Sequence, residues 1–203
     1  MRAGVMTESP QPEHRATFGG QALLPHDHLC ALYRGVSERY RLMLDFISAG
    51  LDESEQCLCI GSGRDISQLT SVLSRHQFDG ALLQVVEPED ACPPNGAFEP
   101  ETVTDAMHRW SATAFDENGC DSARAIADMT WTAPDASTTL IDGLARFELG
   151  VTELARRRPQ ICVSMYDLNT FGGAMVPAMV TSHVKVWICG AIVENPYATP
   201  MLA

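Results

Sequence analysis

Apolar positions recur with helical spacing between Ser37 and Gly50, where Tyr40, Leu42, Met43, Leu44, Phe46 and Ile47 share one broad face. Ser37 is available as an N-cap and Gly50 as a stop, so this segment predicts the first helix. Gln56 to Ile60 is a short apolar run closed by Gly61-Ser62-Gly63. Asp65-Ile66-Ser67-Gln68 then has the form of a capping box opening a helix that runs to about His76. Ala81 to Val86 predicts a strand, and Glu87 to Pro100 a proline-rich connection that holds Asn95-Gly96-Ala97-Phe98. Val103, Ala106, Met107, Trp110 and Ala114 give a helix over Pro100 to Glu117, followed by a strand from Ala123 to Met129 that reaches Thr130-Trp131. Thr138 to Arg158 predicts a long helix and Ile161 to Tyr166 a strongly apolar strand. Strands and helices alternating at these lengths predict an α/β fold, a mostly parallel sheet with helices on both faces. The alternation breaks near the end: after a helical stretch over 174–182, Val184–Cys189 and Ala191–Val193 flank Gly190 as one bent strand or a terminal hairpin.

Ahead of the first helix, His28-Leu29-Cys30-Ala31-Leu32-Tyr33 gathers an imidazole, a thiol and a phenol where a plain connector is expected. A second polar and aromatic set lies far downstream in Met165-Tyr166-Asp167, Phe171, His183 and Glu194-Asn195-Pro196-Tyr197. Together the two sets read as a binding site.

The 203 residues suit one domain, expected over 23–203, behind a charged, proline-containing N-terminal segment over 1–22 that is expected to be disordered. That segment has no apolar core of a secretory signal, and no apolar run approaches the roughly 20 residues of a membrane span, so a cytoplasmic location without membrane contact is expected. Fourteen Lys and Arg against 26 Asp and Glu leave a net charge of -12, which argues against direct nucleic-acid binding. The one basic run, Arg156-Arg157-Arg158, ends a helix and complements its dipole. Seven cysteines without a Cys-x-x-Cys pair predict reduced thiols, and Cys57, Cys59, Cys162 and Cys189 read as small core residues.

Ligands of open α/β sheets sit beyond the carboxyl ends of the strands, which directs attention to Gly61-Ser62-Gly63-Arg64, Glu87, Asp128, Thr130, Trp131, Tyr166 and Asp167. The glycine turn lacks the Lys-Ser/Thr of a nucleotide-hydrolysing phosphate loop, so it is mainly a tight strand-to-helix turn with weak anion binding as the alternative. His26, His28 and Cys30 alternate, so an extended backbone would place them on one face as a zinc or copper set, with His183 as the remote fourth ligand. Glu148 interrupts the apolar face of the long helix, either as a solvated carboxylate or as one that orients an Arg or His from the sheet.

These segments together resemble the MEDS domain, the methanogen/methylotroph sensory domain named for the dichloromethane regulator of methylotrophs. The resemblance runs from about His28 to Pro200 and is carried by His28–Tyr33, Gln56–Ile60, Asn95–Pro100, Asp128–Trp131, Phe147-Glu148, Tyr166-Asp167 with Phe171, His183, and Glu194–Tyr197. It implies a RecA-like fold with a degenerate phosphate loop and a role in signalling. Relatives of this kind are thought to sense small hydrocarbon derivatives beside a separate output module. This chain departs from the family pattern at His183-Val184, where His-Pro is expected, and at Ser164-Met165, where Cys-Gln is expected, and both changes bear on ligand preference.

The expectation is a non-catalytic sensor that binds a small, largely apolar organic ligand and regulates a separate protein in a transcriptional, kinase or anti-sigma pathway, with no cofactor. Tyr33, Trp131, Tyr166 and Phe171 are assigned to the apolar wall, and His28, Cys30, Asp128, Asp167 and His183 to polar contacts. The alternatives are a metal- or redox-responsive regulator using His26, His28 and Cys30 with a transition metal such as zinc, and a degenerate nucleotide-binding enzyme. A homo-oligomer stays open.

Overall fold

The computed structural model describes residues 16–73, 79–88, 98–135, 138–173 and 175–198. Asn95, Gly96 and Ala97 of the proline-rich connection, and the expected helix end at His76, lie outside the described residues. Strands β1 (Ala16–Phe18) and β2 (Gln21–Leu23) form an antiparallel hairpin whose turn, Gly19-Gly20, has φ of 55° and 81°. Both values belong to the left-handed region that two-residue hairpin turns demand. Gly19 is needed for a second reason: a Cβ there would lie 2.6 Å from Nε1 of Trp187. This hairpin, within the described residues, packs beneath Trp187 of the main sheet.

The main sheet has seven strands: β3 (His28–Tyr33), β4 (Gln56–Ile60), β5 (Leu83–Val86), β6 (Ala123–Asp128), β7 (Gln160–Asp167), β8 (Lys185–Ile188) and β9 (Ala191–Glu194). Their spatial order is β5-β4-β6-β7-β3-β8-β9. Every pairing is parallel except β8 with β9. The chain ends in a hairpin, not a bent strand, because Cys189 (φ 52°) and Gly190 (φ 86°) form a two-residue turn. This order, with one antiparallel strand at the edge, is compatible with the RecA-like arrangement that the resemblance implies.

His28–Tyr33 is thus not a connector. It is strand β3, inserted between β7 and β8, and all six of its residues are buried. A strand buried on both faces shows no alternation, which is why its sequence reads as a continuous apolar run with polar ends.

Helices α1 (Gly35–Asp52) and α2 (Gly63–Leu73), with the β1–β2 hairpin, cover one face of the sheet. Helices α3 (Pro100–Ala112), α4 (Thr138–Arg157), the single turn α5 (Leu168–Phe171) and α6 (Val176–Thr181) cover the other. Within β3 the two faces are served alternately: Leu29, Ala31 and Tyr33 pack under α1, while Cys30 and Leu32 pack under α4. Gly50 does not stop α1. It lies within the helix, where a Cβ would come within 2.5 Å of the Arg124 side chain, so the glycine makes room for the buried Arg124–Glu55 ion pair. Among the described residues, no helix is long and apolar enough to cross a membrane.

Candidate functional site

Two clusters of buried polar side chains flank β3, one at each end. At the carboxyl edge, β6 ends on Asp128 and β3 ends on Tyr33. Asp128 Oδ1 accepts from the Tyr33 hydroxyl at 3.0 Å and from the Thr130 amide at 3.2 Å. Its Oδ2 accepts from Arg39 Nη1 at 3.0 Å and from the Thr130 hydroxyl at 2.8 Å. Burial lifts the Asp128 carboxyl above the ordinary carboxylate range, and Arg39 and Thr130 pull it back. With two donors on each oxygen and a guanidinium for its charge, this carboxylate is saturated.

Asp167, at the end of β7, does different work on the same edge. Its Oδ1 accepts from the amides of Gly35 and Asn169, and its Oδ2 from the Thr170 hydroxyl. It caps α5 and ties that turn to the start of α1, a structural role. Trp131 stacks edge-on against Phe98, and Phe171 edge-on against Tyr166. Tyr33 lies on the opposite face of the sheet from Tyr166 and Phe171, so the four aromatic side chains assigned to one wall do not converge.

The second cluster lies towards the amino edge, beneath α4. Glu148 points from α4 into the sheet and is fully buried. Its Oε2 accepts from the Ser164 hydroxyl at 2.8 Å and stands 3.0 Å from Nε2 of His28 and 3.0 Å from Nε2 of His183. The Tyr166 hydroxyl donates to Oε1. The imidazoles pack with ring centroids 4.4 Å apart. On the outer side, His183 Nδ1 lies 2.7 Å from the Met179 carbonyl and His28 Nδ1 lies 2.8 Å from the Thr152 hydroxyl. Burial alone would push the Glu148 carboxyl up, but His183 and His28 overcome it and hold the group well below the usual carboxylate range. Burial, and then the neighbouring His183, push His28 down to about 4 against the pull of Glu148.

Of the residues singled out from the sequence, this centre brings together His28, Tyr166 and His183, with Phe171 packed behind Tyr166. Cys30 faces the same side of β3, and burial and then Glu148 raise its thiol well above the ordinary value. Cys57, Cys59 and Cys162 behave as the expected core thiols, each pushed up to about 12 chiefly by burial, whereas Cys189, expected in the core with them, is exposed in the β8–β9 turn. His26 does not join His28 and Cys30 on one face. It precedes the strand with φ 75°, which breaks the alternation, and its Nδ1 reaches the Ala155 carbonyl at 3.1 Å. Thr152 carried no sequence signal and Ser164 only a departure from the family pattern, whereas Glu148 stood out as the polar interruption of an apolar helix face.

A cavity of about 420 Å³ opens at this amino edge. Its wall includes His26, His28, Leu149, Thr152, Arg156 and Val184. His28 therefore has the cavity on one side and the Glu148 centre on the other, while α4 contributes to both. The cavity is at the opposite end of the sheet from the carboxyl-edge crevice in which the strand-order rule places ligands.

The family described as MEthanogen/methylotroph, DcmR Sensory domain matches residues 27–184 of the chain, an interval that contains both clusters. No curated protein matches the chain.

Proposed function

The chain belongs to the MEDS family of sensory domains, and on that premise we propose that it is a non-catalytic sensor whose ligand enters the cavity at the amino edge of β3. The observation that carries this reading is the position of His28, on the wall of the cavity and in contact with Glu148. Leu149 and Val184 are exposed apolar side chains on the same wall. A small, largely apolar organic molecule with one polar end fits such a wall, its apolar part on Leu149 and Val184 and its polar end towards His28.

Ligand binding acts on a separate regulatory protein only if the ligand favours one of two arrangements of the domain. Helix α4 is the element suited to report it, because Leu149, Thr152 and Arg156 line the cavity while Glu148 anchors the same helix to the sheet. The connection from β3 to α1 supports a non-catalytic role. A single residue, Arg34, separates the strand from the helix, which leaves no length for a glycine-rich loop around phosphates.

A thermal-shift screen with short-chain alcohols, amines, halocarbons and carboxylic acids tests the reading. At least one class should raise the Tm of the wild-type protein, and Leu149→Arg, a change at a half-exposed helix position, should abolish that shift while leaving the unliganded Tm within a few degrees. A set that shifts nothing, or a shift that Leu149→Arg leaves intact, overturns the proposal.

A further inference from the structure

We propose that His28, Glu148 and His183 form a binding site for a divalent first-row transition ion of the zinc class. The three residues come from β3, α4 and the segment before β8, and their ligand atoms all lie within 4.8 Å of one another. Two imidazoles and a carboxylate make up a donor set that such ions take readily, with a further position left for water or an exogenous ligand.

The hydrogen bonds around the rings carry the argument. A carbonyl oxygen only accepts, so the Met179 contact fixes a proton on Nδ1 of His183. The Thr152 hydroxyl donates to the Glu148 carbonyl oxygen at 2.9 Å, so its oxygen is free to accept from Nδ1 of His28. In that tautomer both Nε2 atoms face the same oxygen, Glu148 Oε2, each at 3.0 Å, and each must take up a proton or bind a cation there. Protons satisfy both contacts only by charging two buried imidazoles whose ring centroids are 4.4 Å apart. A dication relieves both. The outer partners, a backbone carbonyl and a hydroxyl, are also the kind that orient metal-bound histidines. A tetrahedral ion with bonds of about 2.0–2.1 Å needs donors about 3.3 Å apart; the two Nε2–Oε2 distances are each 3.0 Å, a few tenths of an ångström less, and all three ligand atoms lie within 4.8 Å of one another. The cavity beside His28 gives an ion its way in.

The inference concerns the donor set alone and is independent of the organic ligand proposed for the cavity. Its test is titration of chelator-treated, full-length protein with Co²⁺, read by visible absorption, followed by displacement with Zn²⁺ and metal analysis after gel filtration. One ion per chain is expected, with a tetrahedral-type Co²⁺ spectrum. Glu148→Gln and His183→Ala should each weaken binding by at least about tenfold to hundredfold, while His26→Ala leaves it unchanged. Should either buried variant fail to fold, ¹⁵N spectra of wild-type imidazoles decide the matter: Zn²⁺ must shift the Nε2 resonances of His28 and His183. Folded wild-type protein that binds no Co²⁺ at 100 µM (about 100 µM being a generous ceiling for a three-ligand site), Nε2 resonances that do not move, or binding that is lost in His26→Ala but kept in Glu148→Gln overturns the proposal.

Discussion

Asp128 and Glu148 are both buried carboxylates beside β3, yet they are satisfied in opposite ways. Asp128 has two donors on each oxygen, and they come from just beyond its own strand end, from β3 on the far side of β7 and from the first turns of α1. Glu148 has one donor on Oε1 and three groups crowded on Oε2, drawn from β3, β7 and the segment before β8. The first arrangement is closed, with its charge balanced by Arg39 and no acceptor capacity left. The second converges on one oxygen and has room for a further charge. In this fold the carboxyl edge, where sheets of this class usually bind, holds a structural ion pair, and the convergent arrangement lies at the other end.

The largest test of that contrast is stability. Asp128→Ala removes the carboxylate paired with the buried Arg39 guanidinium and four hydrogen bonds, and should cost about 3–5 kcal/mol in urea unfolding. Glu148→Gln in metal-stripped protein should cost about 1–3 kcal/mol, because the amide still accepts from Tyr166 or Ser164 and its NH₂ can donate to a histidine Nε2. Equal losses, or a larger loss at Glu148, would show that both carboxylates are structural and remove the distinction.

Acid unfolding separates the two next. Glu148, faced by His28, His183, Tyr166, Cys30 and Cys162, is held below its ordinary value near 4.5. Its contribution is present above that value and is lost as pH falls through and below it. Asp128, faced by Arg39, Tyr33 and Cys59, is raised above its ordinary value of 3.8, so the folded state takes up its proton first and acidification does not cost stability through this group. In metal-stripped protein, Tm measured from pH 7 to pH 3 should fall less steeply below about pH 5 in Glu148→Gln than in the wild type, whereas Asp128→Asn should not flatten the acid limb.

Much of this architecture was legible in the pattern of apolar positions. The runs read at 56–60, 123–129 and 161–166 and the long periodic stretch at 138–158 announced β4, β6, β7 and α4 to within a residue at each end, because each is a single uninterrupted period. The first strand of the main sheet was not legible as one, since His28–Tyr33 is buried on both faces and lacks alternation, and its polar ends mimic a loop. Glu148 could be read as a solvated carboxylate or as one orienting an Arg or His from the sheet, for a charge on an apolar helix face needs either water or a partner. The identity of that partner depended on β3 lying between β7 and β8, and this is a property of strand order that no local pattern encodes. Arg39 was hidden for the same reason: on a helix that begins with polar residues it reads as solvated, and only the end of β6, distant in sequence, draws it inside.

The smallest test compares two hydroxyls. Tyr33 and Tyr166 each donate to a buried carboxylate, so removal of either oxygen deletes one hydrogen bond with a charged acceptor. Tyr33→Phe leaves Asp128 Oδ1 with the Thr130 amide and Oδ2 with Arg39 and the Thr130 hydroxyl, and the charge stays paired. Tyr166→Phe leaves Oε1 of the fully buried Glu148 without the donor that serves it. The expected losses are about 0.5–1.5 kcal/mol for Tyr33→Phe and about 1.5–3 kcal/mol for Tyr166→Phe, measured as urea midpoints at constant slope. The order matters more than the sizes. If Tyr33→Phe proves the costlier change, Asp128 is the carboxylate with the thinner set of donors, and the division between a closed carboxyl edge and an open amino-side centre fails at its most local level.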